Sequence, residues 1–181
     1  MKKAVFSDRL FYWGVVMSDR AEHLVSLLKS QGKTITTIES CTGGLIAGAI
    51  TAISGSSNVF DYGFVTYSNA AKTALVGVPE DLLVQHGAVS LEVARAMAEG
   101  GLKRASASIA LSVTGIAGPT GGSVEKPIGM VCFGLSFMGL GGAPITEARV
   151  QQFGGIGRDE VRQASVRFAL DWAIETLSKA G

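Results

Sequence analysis

Cysteine, histidine and proline are scarce in this chain, and each scarcity removes a class of function. The 181 residues include 2 cysteines, 2 histidines and 4 prolines. Cys41 and Cys132 lie far apart and make neither a CxxC pair nor a zinc-ligand spacing. His23 and His86 are too few to complete a metal site of the usual His/Cys kind. No metal and no cofactor is expected. The thiols read as reduced, which suits the cytoplasm. Charge of one sign is lacking too: 16 Lys and Arg stand against 15 Asp and Glu. No basic run or stripe appears, so nothing argues for a nucleic-acid partner. Long apolar runs are absent as well. The patch over residues 10–17 is too short to span a membrane and is broken by Gly14. Ser18-Asp19-Arg20 makes a poor signal-peptide cleavage site. Residues 1–17 are therefore read as an N-terminal extension, with Met17 an alternative start and the patch free to pack on the domain or on a partner. Residues 18–181 are read as one domain.

What the chain has in quantity is apolar residues, 47%, and 24 glycines, the mixture of a globular α/β protein with many tight turns. Ser18-Asp19-Arg20 reads as a helix start, with Leu24, Leu27 and Leu28 at helical spacing and Gly32 as the stop. A β run over residues 34–38 leads into a small-residue helix over 45–52. Residues 64–67 form a second β candidate. Asn69 caps a short helix, Pro79 opens another, and Ser90 starts a longer one to about Arg104. Strands follow over 108–113, 128–137 and 145–153, then a long amphipathic helix from Arg158 to about Leu177. The order α-β-α-β-α-α-β-β-β-α favours a three-layer α/β/α sandwich. The adjacent late strands require an antiparallel pair, so the sheet is expected to be mixed, mainly parallel, with about five strands.

Four polar clusters fall at strand ends or in glycine loops, where ligands of open α/β sheets collect. The first is Glu39-Ser40-Cys41-Thr42-Gly43-Gly44, between a strand and a helix. It suits a nucleophile or an anion cradle, and equally a plain helix cap made by Ser40 or Thr42. The second is Tyr67-Ser68-Asn69 with Lys72. A desolvated lysine can act as a general base and activate a serine. Either Ser40 or Ser68 is within its reach on this reading, and the plain alternative is a solvated surface lysine. The third is the loop over residues 115–123, with Gly115, Gly118, Gly121 and Gly122 baring their N–H groups and Lys126 close behind. The fourth is Arg158, placed against the helix dipole at a helix start, which an anionic ligand would offset.

Together these segments resemble the CinA C-terminal domain family, whose characterised members are nicotinamide-nucleotide amidohydrolases. The resemblance rests on residues 39–44, 55–57, 63–69 with Lys72, 77–78, 86–90 and 115–122, on Lys126-Pro127 with Gly129, and on Phe153-Gly154 with Arg158; it covers residues 18–178. It implies hydrolysis of the carboxamide of nicotinamide mononucleotide to nicotinic acid mononucleotide and ammonia, without a metal. By the same resemblance Ser40 is the nucleophile, Lys72 its base and Tyr67 an active-site tyrosine. Thr42, Gly43, Gly44, Asn69, Gly115, Gly118, Gly121, Gly122, Lys126 and Arg158 are expected to bind substrate. Gly155-Ile156-Gly157 departs from the more polar approach to that arginine in relatives. The partner is a small nucleotide, not nucleic acid or membrane, and a homodimer is expected. Many members carry an additional N-terminal domain, so a stand-alone form is expected here. The alternative reading is a non-catalytic nucleotide-binding or regulatory module.

Overall fold

The strands form where β-branched and aromatic residues concentrate between glycine breaks. The computed structural model describes residues 7–139 and 141–179, with the backbone alone over 7–17. The strands are β1 (Ile35–Glu39), β2 (Gly63–Val65), β3 (Ile109–Gly115), β4 (Met130–Met138) and β5 (Pro144–Gln152). The helices are α1 (Ser7–Ser30), α2 (Leu45–Thr51), α3 (Asn69–Val76), α4 (Glu80–His86), α5 (Leu91–Ala105) and α6 (Arg158–Lys179). The sheet order is β2-β1-β3-β4-β5. β2, β1 and β3 pair in parallel, and β4 is antiparallel to both β3 and β5. Four strands thus run one way and β4 the other, the mixed sheet that two consecutive hairpin-like connections demand.

α1, α2 and α6 pack together on one face, and α3, α4 and α5 on the other. The first layer closes over Leu24, Leu28, Ile46, Leu111, Phe133, Leu170 and Trp172. The second closes over Ile38, Val76, Leu83, Val93 and Met97. On α6 the apolar stripe of Val161, Val166, Ala169, Leu170, Ala173 and Leu177 is buried. Burial of a large apolar side chain such as Leu170 contributes about 1.5–3 kcal/mol.

Two local expectations are corrected. α1 does not begin at Ser18; it runs unbroken from Ser7. Ser and Asp inside a helix cost only about 0.5 kcal/mol each, so a cap-like triplet there does not force a start. The side chains of the apolar patch over 10–17 lie outside the described residues. At α3 the cap is Ser68, whose backbone is extended and whose hydroxyl accepts from the Ala71 N–H at 3.1 Å; Asn69 is the first helical residue. Ser90 caps α5 as expected, accepting from the Val93 N–H at 3.2 Å.

β1 has both faces covered, and all five of its residues are buried. Such strands are normally apolar, yet this one carries Thr36, Thr37 and Glu39. Thr36 donates to the Tyr62 carbonyl at 2.7 Å. Glu39 finds its partners in the loop that follows.

Candidate functional site

The carboxyl ends of the three parallel strands β2, β1 and β3 lie side by side, and the segments leaving them make the site. Ser40 follows β1 directly, and its N–H still donates to Val113 of β3, at 2.9 Å. The chain then leaves the sheet through Gly43 and Gly44, both left-handed at φ +62° and +96°, a conformation that costs a side chain 1–2 kcal/mol or so.

Where the N–H groups of this turn go decides what it can do. The Gly43 N–H donates to the Ser40 carbonyl at 3.1 Å, and the Leu45 N–H to the Thr42 carbonyl at 3.4 Å. The Glu39 carboxylate accepts from Gly44 at 3.0 Å, Ile46 at 3.1 Å and Ala47 at 2.8 Å. The start of α2 is therefore capped by Glu39, not by Ser40 or Thr42, and the Thr42 hydroxyl is buried without a hydrogen-bond partner. The Gly43 and Gly44 N–H groups, expected to face a ligand, are taken up inside the loop. Among the described residues of the turn, the N–H groups of Cys41 and Thr42 are those left without an oxygen acceptor.

Lys72 reaches this turn from α3. Its Nζ lies 3.2 Å from Ser40 Oγ and donates to the Thr66 carbonyl at 2.9 Å. The residue is 1% exposed, so the solvated-lysine reading does not hold. Burial lowers its pKa below the ordinary lysine value, because the ammonium loses its water. Ser68 is taken up as the α3 cap, which leaves Ser40 as the serine in contact with Lys72. Burial pushes the neighbouring Cys41 thiol up to about 12. At neutral pH it is a protonated thiol, the unreactive form.

Tyr67 is not the end of β2 but a loop residue two positions beyond it, with its side chain 60% exposed. The Arg158 guanidinium bridges this loop and the glycine loop: it donates to Tyr67 Oη at 3.1 Å and to the Gly118 carbonyl at 3.0 Å. The structure thus joins Ser40 with Lys72, and Tyr67 with Arg158 and Gly118. Asn69 sits exposed at the start of α3 beside them. The Lys126 ammonium donates to the His86 carbonyl at 2.6 Å. At Gly115 and Gly122 the want of a side chain has a packing cause: a Cβ would meet Val131 at 2.7 Å and Ile128 at 2.9 Å. Gly121 has a left-handed backbone, φ +90°.

Two participants escaped the sequence reading. Glu39 was legible only as a charged residue beside Ser40. Arg162, one helical turn after Arg158, donates to the Thr42 carbonyl at 3.0 Å and braces the turn from the α6 side. Size does not single this place out. A cleft of about 1000 Å³ lies elsewhere, lined by Val76, Leu82, Arg95, Glu99 and Lys103 among others. Its lining carries no serine, threonine or cysteine, and the contact of Ser40 with Lys72 marks the candidate site instead.

The family described as "CinA C-terminal domain" matches residues 17–177. The chain belongs to the CinA C-terminal domain family. Within it, the chain is 51% identical over 168 residues to nicotinamide-nucleotide amidohydrolase PncC of Enterobacter agglomerans, covering 90% of this chain and 99% of that protein. It is also 51% identical over 157 residues to a CinA-like protein of Citrifermentans bemidjiense, of whose length it spans 36% against 86% of its own. Among solved structures, the competence/damage inducible protein CihA from Agrobacterium tumefaciens superposes with a TM-score of 0.83 at 45% identity, over 90% of this chain and 95% of that one. The five-stranded mixed sheet with its two helical layers is thus the architecture of a CinA C-terminal domain.

Proposed function

We propose that this CinA C-terminal domain is an amidohydrolase that converts the carboxamide of nicotinamide mononucleotide to the carboxylate, releasing ammonia. The observation that carries the reading is the contact of a buried lysine with a serine at a strand end. A module that only binds nucleotide has no use for a lysine stripped of water beside a hydroxyl, an arrangement that costs stability. The likeness to a nicotinamide-nucleotide amidohydrolase over nearly the full length of both chains supports the substrate.

In this mechanism neutral Lys72 takes the proton of Ser40 as Oγ attacks the carboxamide carbon. The ring, a pyridinium, already draws electrons from that carbon. Negative charge develops on the carboxamide oxygen, and the N–H groups of Thr42 and Cys41, which have no oxygen acceptor in the loop, are the donors that meet it. One such donor contributes about 3 kcal/mol. The C–N bond then breaks, and protonated Lys72 returns its proton to the departing ammonia. Water then attacks the ester carbon while Lys72 removes its proton; the C–Oγ bond breaks, Lys72 returns the proton to Ser40 Oγ, and the acid released ionises to the carboxylate. Arg158, held at the rim by Tyr67 and the Gly118 carbonyl, is the cation offered to the phosphate. Lys126, whose ammonium keeps two donors beyond the one given to the His86 carbonyl, is the second cation proposed for it.

The test is ammonia release from nicotinamide mononucleotide and from its phosphate-free riboside, with Ser40→Ala as control. Turnover of the mononucleotide, lost in Ser40→Ala and sharply reduced on the riboside, is the expected result. Equal rates on the two substrates contradict a phosphate site, and an active Ser40→Ala contradicts the nucleophile.

A further inference from the structure

Glu39 has no part in the chemical steps above, yet it touches both halves of the site. Its side chain is 1% exposed, and a carboxylate so placed is costly unless its oxygens are fully paired. The pairing is with three N–H groups on the far side of the turn, those of Gly44, Ile46 and Ala47. The turn between them is the one that begins at Ser40. The Glu39 main chain reaches the other half: its carbonyl accepts from the Thr66 N–H at 2.8 Å. The Thr66 carbonyl in turn accepts from Lys72 Nζ at 2.9 Å. One residue thus anchors the loop of the serine through its carboxylate and the lysine through its backbone.

We propose that Glu39 is a positioning residue: its carboxylate sets the approach of Ser40 to Lys72 and, by occupying the first N–H groups of α2, confines oxyanion binding to the N–H groups of Cys41 and Thr42. This rests on the amidohydrolase reading of the same site. The arrangement differs from a helix end that faces its ligand directly. Here the N-terminal N–H groups of a short helix are taken up by the residue preceding the nucleophile. The oxyanion is left to the amides of the turn itself. Glutamine cannot substitute. Donors approach both carboxylate oxygens, so either orientation of the amide sets an NH2 group against a backbone N–H.

The experiment compares wild type, Glu39→Gln, Glu39→Asp and Ser112→Ala, each at equal concentration of folded protein. Ser112→Ala is the control for lost stability alone: its buried hydroxyl donates to the Ala94 carbonyl at 2.6 Å, away from the reacting groups. Two readouts are taken. One is kcat and KM for ammonia release from nicotinamide mononucleotide. The other needs no substrate: the rate at which an aryl sulfonyl fluoride labels Ser40, forming the O–S bond, expelling fluoride and passing the serine proton to Lys72.

In Glu39→Gln, kcat and the labelling rate both fall by about 10- to 100-fold while KM stays within about threefold. Glu39→Asp falls in the same direction, and Ser112→Ala stays within about twofold of wild type on both readouts. If Glu39→Gln does not fold, Glu39→Asp decides by the same criteria. A folded Glu39 variant that labels and turns over within about twofold of wild type overturns the proposal. Failure of the amidohydrolase reading looks different: wild type releases no ammonia, while the labelling rates still report on Glu39.

Discussion

Lys72 Nζ and Ser40 Oγ stand 3.2 Å apart although 32 positions separate the residues in sequence. The carboxyl ends of β1 and β2 bring them together, β1 carrying the serine and the loop after β2 leading into α3. Among the described residues no ion pair includes Lys72; its neighbours are a hydroxyl and a carbonyl. With no carboxylate to hold a proton on it, desolvation favours the neutral amine, the form that can accept the serine proton.

Substitution of Lys72 separates the base from the charge. Lys72→Met keeps the apolar stem and removes the amine, and kcat falls by about 10²- to 10⁴-fold. Lys72→Arg restores a cation that stays protonated throughout the accessible pH range, and it fails to recover the rate. Steady-state ammonia release decides both; an active Lys72→Arg enzyme removes the lysine from proton transfer.

The lowered Lys72 pKa also fixes two pH dependences. The rate rises with pH as Lys72 loses its proton and levels off below the ordinary lysine range, and Lys72→Met lacks this limb. For stability, the folded pKa lies below the unfolded one, so between the two values the unfolded chain binds more protons. Wild-type stability therefore rises with pH across that window. Urea titrations of wild type and Lys72→Met should show the variant's relative stability greatest at neutral pH and declining as the solution approaches the unfolded lysine pKa. A variant whose relative stability instead grows with pH contradicts a depressed lysine.

Cys41 adjoins Ser40, the proposed nucleophile, in sequence, but its thiol is raised to about 12 by burial. Iodoacetamide at neutral pH should leave it unmodified in the folded protein, and Cys41→Ala should keep kcat within about threefold of wild type. Rapid alkylation of Cys41 accompanied by loss of activity makes the thiol, not Ser40, the reacting group.

The architecture was legible because it follows from periodicity. β-branched runs, glycine breaks and the 3.6-residue stripe of α6 are local signals, and they place every strand within a residue or two. The site was legible as residue types at strand ends, and Ser40, Lys72, Tyr67 and Arg158 do meet as two contacting pairs. What stayed hidden were commitments made through space. Ser68 and Asn69 are both good caps, and only backbone geometry selects Ser68. Lys126 follows a glycine loop as an anion-binding lysine would, and its bond to the His86 carbonyl could not be read from the sequence. Glu39 reads as a misplaced charge in a buried strand until the chain turns back on it, 5 to 8 residues later. Its carboxylate takes the N–H groups of Gly44, Ile46 and Ala47, and the Ser40 carbonyl takes that of Gly43; of the amides expected to face a ligand, only that of Thr42 is left without an oxygen acceptor.

Two helical glycines should respond oppositely to alanine. Gly48, in α2, has nothing within 4 Å of the place a methyl group would take, so Gly48→Ala stabilises by about 0.5–1 kcal/mol. At Gly100, in α5, a Cβ would lie 1.7 Å from the Val76 carbonyl oxygen. Gly100→Ala forces α3 and α5 apart and destabilises by about 1–3 kcal/mol despite alanine's better helix propensity. Denaturant midpoints of the two variants test this close approach of the helices, on which the placement of Lys72 depends.

The most direct test of the central claim is to trap the covalent intermediate. Wild-type protein is mixed with nicotinamide mononucleotide, quenched in acid within the first turnovers, digested and analysed by mass spectrometry. The acyl group of nicotinic acid mononucleotide is expected as an ester on Ser40, absent from Ser40→Ala and Lys72→Met. The same acyl group on Cys41, or its continued formation in Ser40→Ala, would contradict the account.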